Sequence, residues 1–263
     1  MSRNSNKRFQ QIGFNRLIKL EWVAYTANLV LTGNDKNEIK SILADYLGSE
    51  FPNSDLKVRG ALSKTLTLLM KIWINVHKEI EYFRDSGFEL LKEFPQEKHR
   101  IIHWGMITAA YPFWAIAGAY VGRLIRLQGT IPASQIQRRV KEKYGERETV
   151  SRCARYLLRS YIDWGVLTDT AKKGIYEQGN IIAVDDPKLV AWLIEAQLNT
   201  LVEKKSLLRA LFDTPALFPF QLTNISSDQL LKTSNRLEIV RHGLDDLLVM
   251  SKGSKGGHIF NYH

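Results

Sequence analysis

The chain has 263 residues, 44% of them apolar and 10% aromatic, enough for one large folded domain or two small ones and too apolar for disorder over most of the length. Its one cysteine, Cys153, excludes an internal disulfide and every multi-cysteine zinc site, and it fits a reducing cytoplasm. A net charge of +10 attracts polyanions, meaning nucleic acid or an anionic membrane, and says nothing about fold.

Residues 1–12 read as a loose basic arm with no apolar run behind it, so they are not a secretory signal. Residues 13–122 read as a helical bundle of about five helices. Apolar residues recur at helical spacing from Asn15 to Leu31, and Gly33 ends that run. Asp35 followed by Glu38 predicts a capping box for a second helix that carries Ile39, Leu43 and Leu47. Leu62, Leu66, Leu69, Trp73 and Val76 mark a third, and a fourth runs on to Pro95 with a break expected near Gly87. The stretch from Ile101 to Val121 is uncharged and long enough to span a bilayer, and Gly118 and Gly122 are spaced like a helix-dimer motif. Pro112 at its centre and His103 within it favour the other reading, two buried core helices meeting at Tyr111–Pro112.

Three short elements follow over 123–184. Pro132 suits the first position of a helix carrying Ile136, Val140 and Tyr144, which Gly145 closes. Another helix runs from about Arg147 to Trp164. It turns Val150, Cys153, Ala154, Leu157, Tyr161 and Ile162 inward, with Leu158 and Trp164 at the margin. Thr149, Arg152, Arg155, Tyr156 and Arg159 then face outward, the three arginines at i, i+3 and i+7 on one side. Two brief strands, Val166–Thr168 and Ile175–Glu177, flank a turn at Lys172-Lys173-Gly174. Between Arg123 and Arg159 stand ten basic and three acidic residues, so most of the chain's excess charge falls in about a seventh of its length. Glu148–Arg152 and Arg159–Asp163 are i,i+4 pairs, which would make part of this face a salt-bridged, solvated surface instead. Residues 185–250 read as a C-terminal helical region opened by Asp186-Pro187, and 251–263 as a flexible basic tail.

The order helix, glycine turn, arginine-bearing helix, strand, lysine turn, strand resembles the winged helix-turn-helix superfamily of DNA-binding proteins. That resemblance implies that the helix with Arg147, Thr149, Arg152, Arg155, Tyr156 and Arg159 enters the major groove. It further implies that Lys172 and Lys173 are wing cations, and that Thr130, Arg138 and Arg139 grip phosphate. Arg3, Lys7, Arg8, Arg16 and Lys19 would add charge along the backbone. The wider layout, a helical bundle leading into such a module, is similar to the BrxA proteins of bacterial BREX phage-defence islands. That similarity implies an accessory DNA-binding role.

Catalytic constellations are missing from the sequence: "GSKGG" lacks the spacing of a phosphate-binding loop, and the six histidines never pair with carboxylates at ligand spacing. The nearest to a nuclease site is Asp185 and Asp186 followed by Glu203-Lys204-Lys205. The sequence therefore predicts a mainly α protein that is a non-enzymatic, cytoplasmic binder of double-stranded DNA, without cofactor, metal or membrane attachment. It would act as a homodimer or with partner proteins. The competing reading is a protein-interaction module whose basic face docks an acidic partner.

Overall fold

The structure, a computed structural model, describes residues 8–9, 12–51, 60–242 and 245–251. It is mainly helical, with small sheets confined to the second half of the chain. Helices α1 (Leu20–Leu31), α2 (Lys36–Gly48), α3 (Ala61–Trp73), α4 (Glu81–Glu93), α5 (His99–Ala110) and α6 (Pro112–Gln128) build the first half, one more than the sequence suggests. The Asp35 carboxylate accepts from the backbone N–H groups of Asn37 and Glu38 while Glu38 reaches back to Asp35 N, so the capping box forms as predicted. The helix read from Asn15 starts at Leu20. Residues 12–19 are instead an irregular strap, whose Phe14 and Ile18 are fully buried. Helix α3 ends at Trp73, three residues earlier than expected, where Asn75 N closes back on Met70 O at 2.7 Å.

Gly87 does not break α4. A Cβ there would lie 2.8 Å from the Trp192 ring and 3.0 Å from the Trp73 ring, so the glycine makes room for two tryptophans while its helix runs straight through. Pro112 does divide the apolar stretch, with Tyr111 at φ −127, ψ 87 between α5 and α6. Both halves are buried, and among the described residues no helix is long and apolar enough to cross a membrane. The Gly118–Gly122 pair has an internal use. A Cβ on Gly122 would sit 2.1 Å from Pro215 O, so these small residues let a 3-10 turn, Pro215–Leu217, lie directly on α6.

After α6 come β1 (Thr130–Pro132), α7 (Ala133–Tyr144), α8 (Glu148–Asp163), β2 (Leu167–Asp169) and β3 (Ile175–Gln178). The three strands form one antiparallel sheet in the order β1-β3-β2. Strand β1 is a departure from the sequence reading, which has no strand before residue 165 and gives Pro132 to a helix. Pro132 ends the strand and precedes α7 as its N-cap.

The C-terminal part is less helical than expected. Helix α9 (Pro187–Leu198) is followed by short α10 (Leu208–Phe212) and α11 (Ser227–Thr233). Around them lie β4 (Ile182–Val184) paired with β6 (Phe220–Leu222), and β5 (Lys205–Leu207), β8 (Asp245–Met250) and β7 (Leu237–His242) as a second three-stranded sheet. Leu237, Leu248 and Met250 bury one face of that hairpin.

A single apolar core joins these parts. Trp104 of α5 has ring centroids within 6.0 Å of Trp114 on α6, of Tyr161 and Trp164 at the end of α8, and of Phe218 and Phe220. The position 122/123 falls inside α6, and among the described residues the buried side chains on both sides of it belong to one cluster.

Candidate nucleic-acid interface

Helices α7 and α8 meet through a three-residue turn opened by Gly145, whose φ of 98° is one that a side chain resists. Ile136 and Val140 of α7 and Val150, Ala154, Leu157 and Leu158 of α8 are buried at 0–1% exposure, which fixes the rotation of both helices. Leu158 and Trp164 are wholly inside, deeper than the margin the sequence gives them, and Ser151 and Ser160 join them. Cys153 is buried as expected, and burial pushes its thiol pKa up.

With that face turned in, Thr149, Arg152, Arg155 and Arg159 point to solvent, as do Arg138, Arg139, Arg147, Lys172 and Lys173. Tyr156 does not. It is half-buried, and the Arg16 guanidinium lies over its ring at 5.7 Å. The strap of residues 12–19 crosses this flank of α8: Ile18 N donates to Ser160 Oγ at 2.9 Å, and Trp164 Nε1 donates to Ile18 O at 3.1 Å. Arg16 and Lys19 are thereby engaged with neighbouring side chains. Lys19 pairs with Glu50 at 3.0 Å. Arg8 is half-buried with its guanidinium against Asn199 O, so it is no free arm charge. Arg3 and Lys7 lie outside the described residues, as does the tail beyond Ser251.

The ion pairs differ from those the helical spacing suggests. Glu148 reaches Arg155, two turns along, at 2.9 Å rather than Arg152. Arg159 pairs with Asp169 on β2 at 2.8 Å, because Asp163 is engaged elsewhere: its Oδ1 accepts from Leu20 N, the first orphan donor of α1. Arg138 and Arg139 share Glu142 at 3.7 and 3.1 Å, and the Arg147 guanidinium donates to Tyr144 O. Arg152, Lys172 and Lys173 have no carboxylate partner among the described residues.

The Arg159–Asp169 contact also reports a spatial relation that the sequence does not give: the arginine side of α8 lies against strand β2. That strand leads into the turn carrying Lys172 and Lys173, where Thr170 Oγ1 accepts from Lys172 N and Gly174 takes φ 80°. Thr130 is exposed at the far edge of the same sheet, in register with Glu177.

The residues considered for nuclease chemistry are not brought together. Asp185 precedes α9 and pairs with Lys98 at 3.3 Å, whereas Glu203 follows it and pairs with Lys205 at 2.8 Å. The intervening helix of 12 residues separates them by about 18 Å. His103 is 2% exposed, edge-on to Trp73, and its Nδ1 has no hydrogen-bond partner among the described residues. Burial, and secondarily the nearby His99, lowers its pKa to about 3.

The most buried charge escapes sequence reading altogether. Glu195 lies mid-helix in α9 at 1% exposure, bound by both carboxylate oxygens to Arg236 at 2.9 and 3.2 Å. Arg236 also donates to Ser86 Oγ, tying α4, α9 and the C-terminal sheet together. Comparison with family models, with curated proteins and with solved structures finds no match to this chain.

Proposed function

We propose that residues 130–178 are a winged helix-turn-helix and that the protein binds double-stranded DNA through it, without catalysing a reaction. The sheet order β1-β3-β2 around α7 and α8, with the β2–β3 turn as wing, supports the fold assignment. One observation carries the functional reading: Arg159 of α8 lies within contact of Asp169 on β2, so the exposed arginine row stands beside the strand that leads into the lysine turn. The result is one cationic face, with Arg152, Lys172 and Lys173 available to an incoming anion.

In this reading Arg152 and Thr149 meet base edges, and Arg147, Lys172 and Lys173 meet phosphates. Arg155 and Arg159 exchange exposed carboxylate partners for phosphate at little cost, since exposed pairs contribute about 0–1 kcal/mol. Tyr156 is left out of the contact set because Arg16 covers it. The likeness to BrxA proteins would add an accessory place in phage defence, and the DNA reading does not depend on it.

Duplex binding by fluorescence anisotropy, for wild type and for Arg152→Glu/Lys172→Glu/Lys173→Glu, tests the proposal. The variant should lose at least tenfold in affinity while keeping its circular dichroism. Equal affinity, or a wild type that does not bind duplex, would reject it. Salt-tolerant binding to a single acidic protein through the same residues would favour the interaction-module reading in its place.

A further inference from the structure

Residues of α6 and α7 line a groove of ≈ 540 Å³. Its α6 wall presents Tyr120, Leu124 and Leu127 at i, i+4 and i+7, one stripe about 10 Å long over two helical turns. Leu127 is 81% exposed, the most exposed large apolar side chain among the described residues. The rim is cationic: Arg123, Arg139 and Lys143 border the groove, and the one acid there, Glu142, is already shared by Arg138 and Arg139. Arg123 is exposed and lies over the Tyr120 ring at 5.9 Å, which places its charge at the groove edge.

An apolar trough two turns long between positive rims has the shape and charge that an amphipathic helix with acidic flanks complements. We infer that the α6–α7 groove docks an acidic amphipathic helix of a partner protein, with Leu127 as the contact that the partner covers. A second copy of the chain would bring the same three cations against themselves. None of the segments outside the described residues can fill it by charge complementarity, since residues 1–7, 10–11, 52–59, 243–244 and 252–263 each carry zero or positive net charge. Duplex DNA offers the anions but nothing to cover Leu127. The inference stands apart from the DNA proposal, with which it shares only Arg139.

The test is anisotropy with a fluorescent, alanine-based synthetic helix of about fourteen residues, four turns, stapled to hold the helix, with leucines at i, i+4 and i+7 and glutamates flanking that stripe. A peptide of the same composition with the leucines scattered is the control. Full-length protein should bind the patterned peptide saturably, with a Kd on the order of 10 μM. Leu127→Asp and, separately, Lys143→Glu should each weaken it at least tenfold, and the scattered peptide should bind at least tenfold more weakly. Leu127 is exposed, so its replacement leaves the fold intact, which circular dichroism checks. Leu127→Asp should also leave duplex affinity unchanged. Absence of saturable binding, equal affinity for the two peptides, or a parallel loss of DNA binding in Leu127→Asp would each overturn the inference. Failure of wild-type DNA binding alone would not.

Discussion

Alanine is the best helix former and normally improves a helix-interior glycine by about 1 kcal/mol. At Gly105 in α5 it should do the opposite. A Cβ there would lie 2.1 Å from Trp192 Nε1 and 2.7 Å from Cδ1, more than an ångström inside ordinary contact. The indole cannot retreat, because its other side is stacked on Phe83 with centroids 3.6 Å apart and planes 3° from parallel. Any shift also breaks the bond from Trp192 Nε1 to Ile102 O, 3.1 Å long and buried. Overpacking of this kind costs about 1–3 kcal/mol, and stranding a buried donor costs about 1–3 more. Set against the helix gain, Gly105→Ala should lose about 1–5 kcal/mol of stability, lowering the thermal midpoint by roughly 2–20 °C for a chain of this size. Urea denaturation followed by circular dichroism measures the free energy, and a thermal melt the midpoint. Gly48→Ala serves as control, since a Cβ at Gly48 meets nothing within 4 Å and its φ is not left-handed. A Gly105→Ala protein as stable as wild type would refute the packing described for Trp192.

Three further outcomes follow from the same contacts. His103 stays neutral in the fold down to about pH 3, whereas in the unfolded chain it takes up a proton near 6.5, so its contribution is complete above 6.5 and is lost as pH falls towards 3. At most about 1.4 kcal/mol goes per pH unit, or about 2 between pH 7 and 5. His103→Leu should flatten the stability profile by that amount in denaturation curves at the two pH values, and parallel profiles would contradict the burial. Arg236→Met should cost about 3–5 kcal/mol by leaving Glu195 charged and alone, while Glu195→Leu/Arg236→Met should cost far less. Equal costs in chemical denaturation would mean that the pair is not coupled. Glu148→Ala/Asp169→Ala frees Arg155 and Arg159, at under about 1 kcal/mol of stability each. It should tighten duplex binding several-fold by anisotropy, and weaker binding would mean that these carboxylates position the arginines rather than compete for them.

What the sequence discloses is what depends on neighbours along the chain. Asp35 with Glu38, the break at Pro112 and the inward stripe of α8 are local patterns, and each folds close to where it is read. Strand β1 is three residues long and exists only because Thr130–Pro132 pairs with Ile175–Glu177, some forty-five positions away. Strand β5 likewise depends on β8. Strand β7 carries only a three-residue alternation, Leu237-Glu238-Ile239, before Val240 breaks it, which is too short to mark a strand. Glycines mislead for a similar reason. Gly87 and Gly122 resemble a breaker and a dimer motif in sequence, and only the positions of Trp192 and Pro215 reveal them as places of close approach. The arginine face was legible as a face, but its partners were not. Asp169 and Arg16 come from other elements, so spacing on α8 alone could not give Arg159 its carboxylate or withdraw Tyr156.

The central claim is that the arginine row of α8 meets phosphates and base edges of a duplex. Measuring duplex affinity against salt, for wild type and for Arg152→Ala/Arg155→Ala/Arg159→Ala, tests it most directly. Each phosphate contact contributes about 0.9 to the slope of log affinity against log salt. The variant should lose affinity together with roughly two to three units of slope. Identical slopes in the two proteins, or a wild type whose binding does not respond to salt, would contradict it.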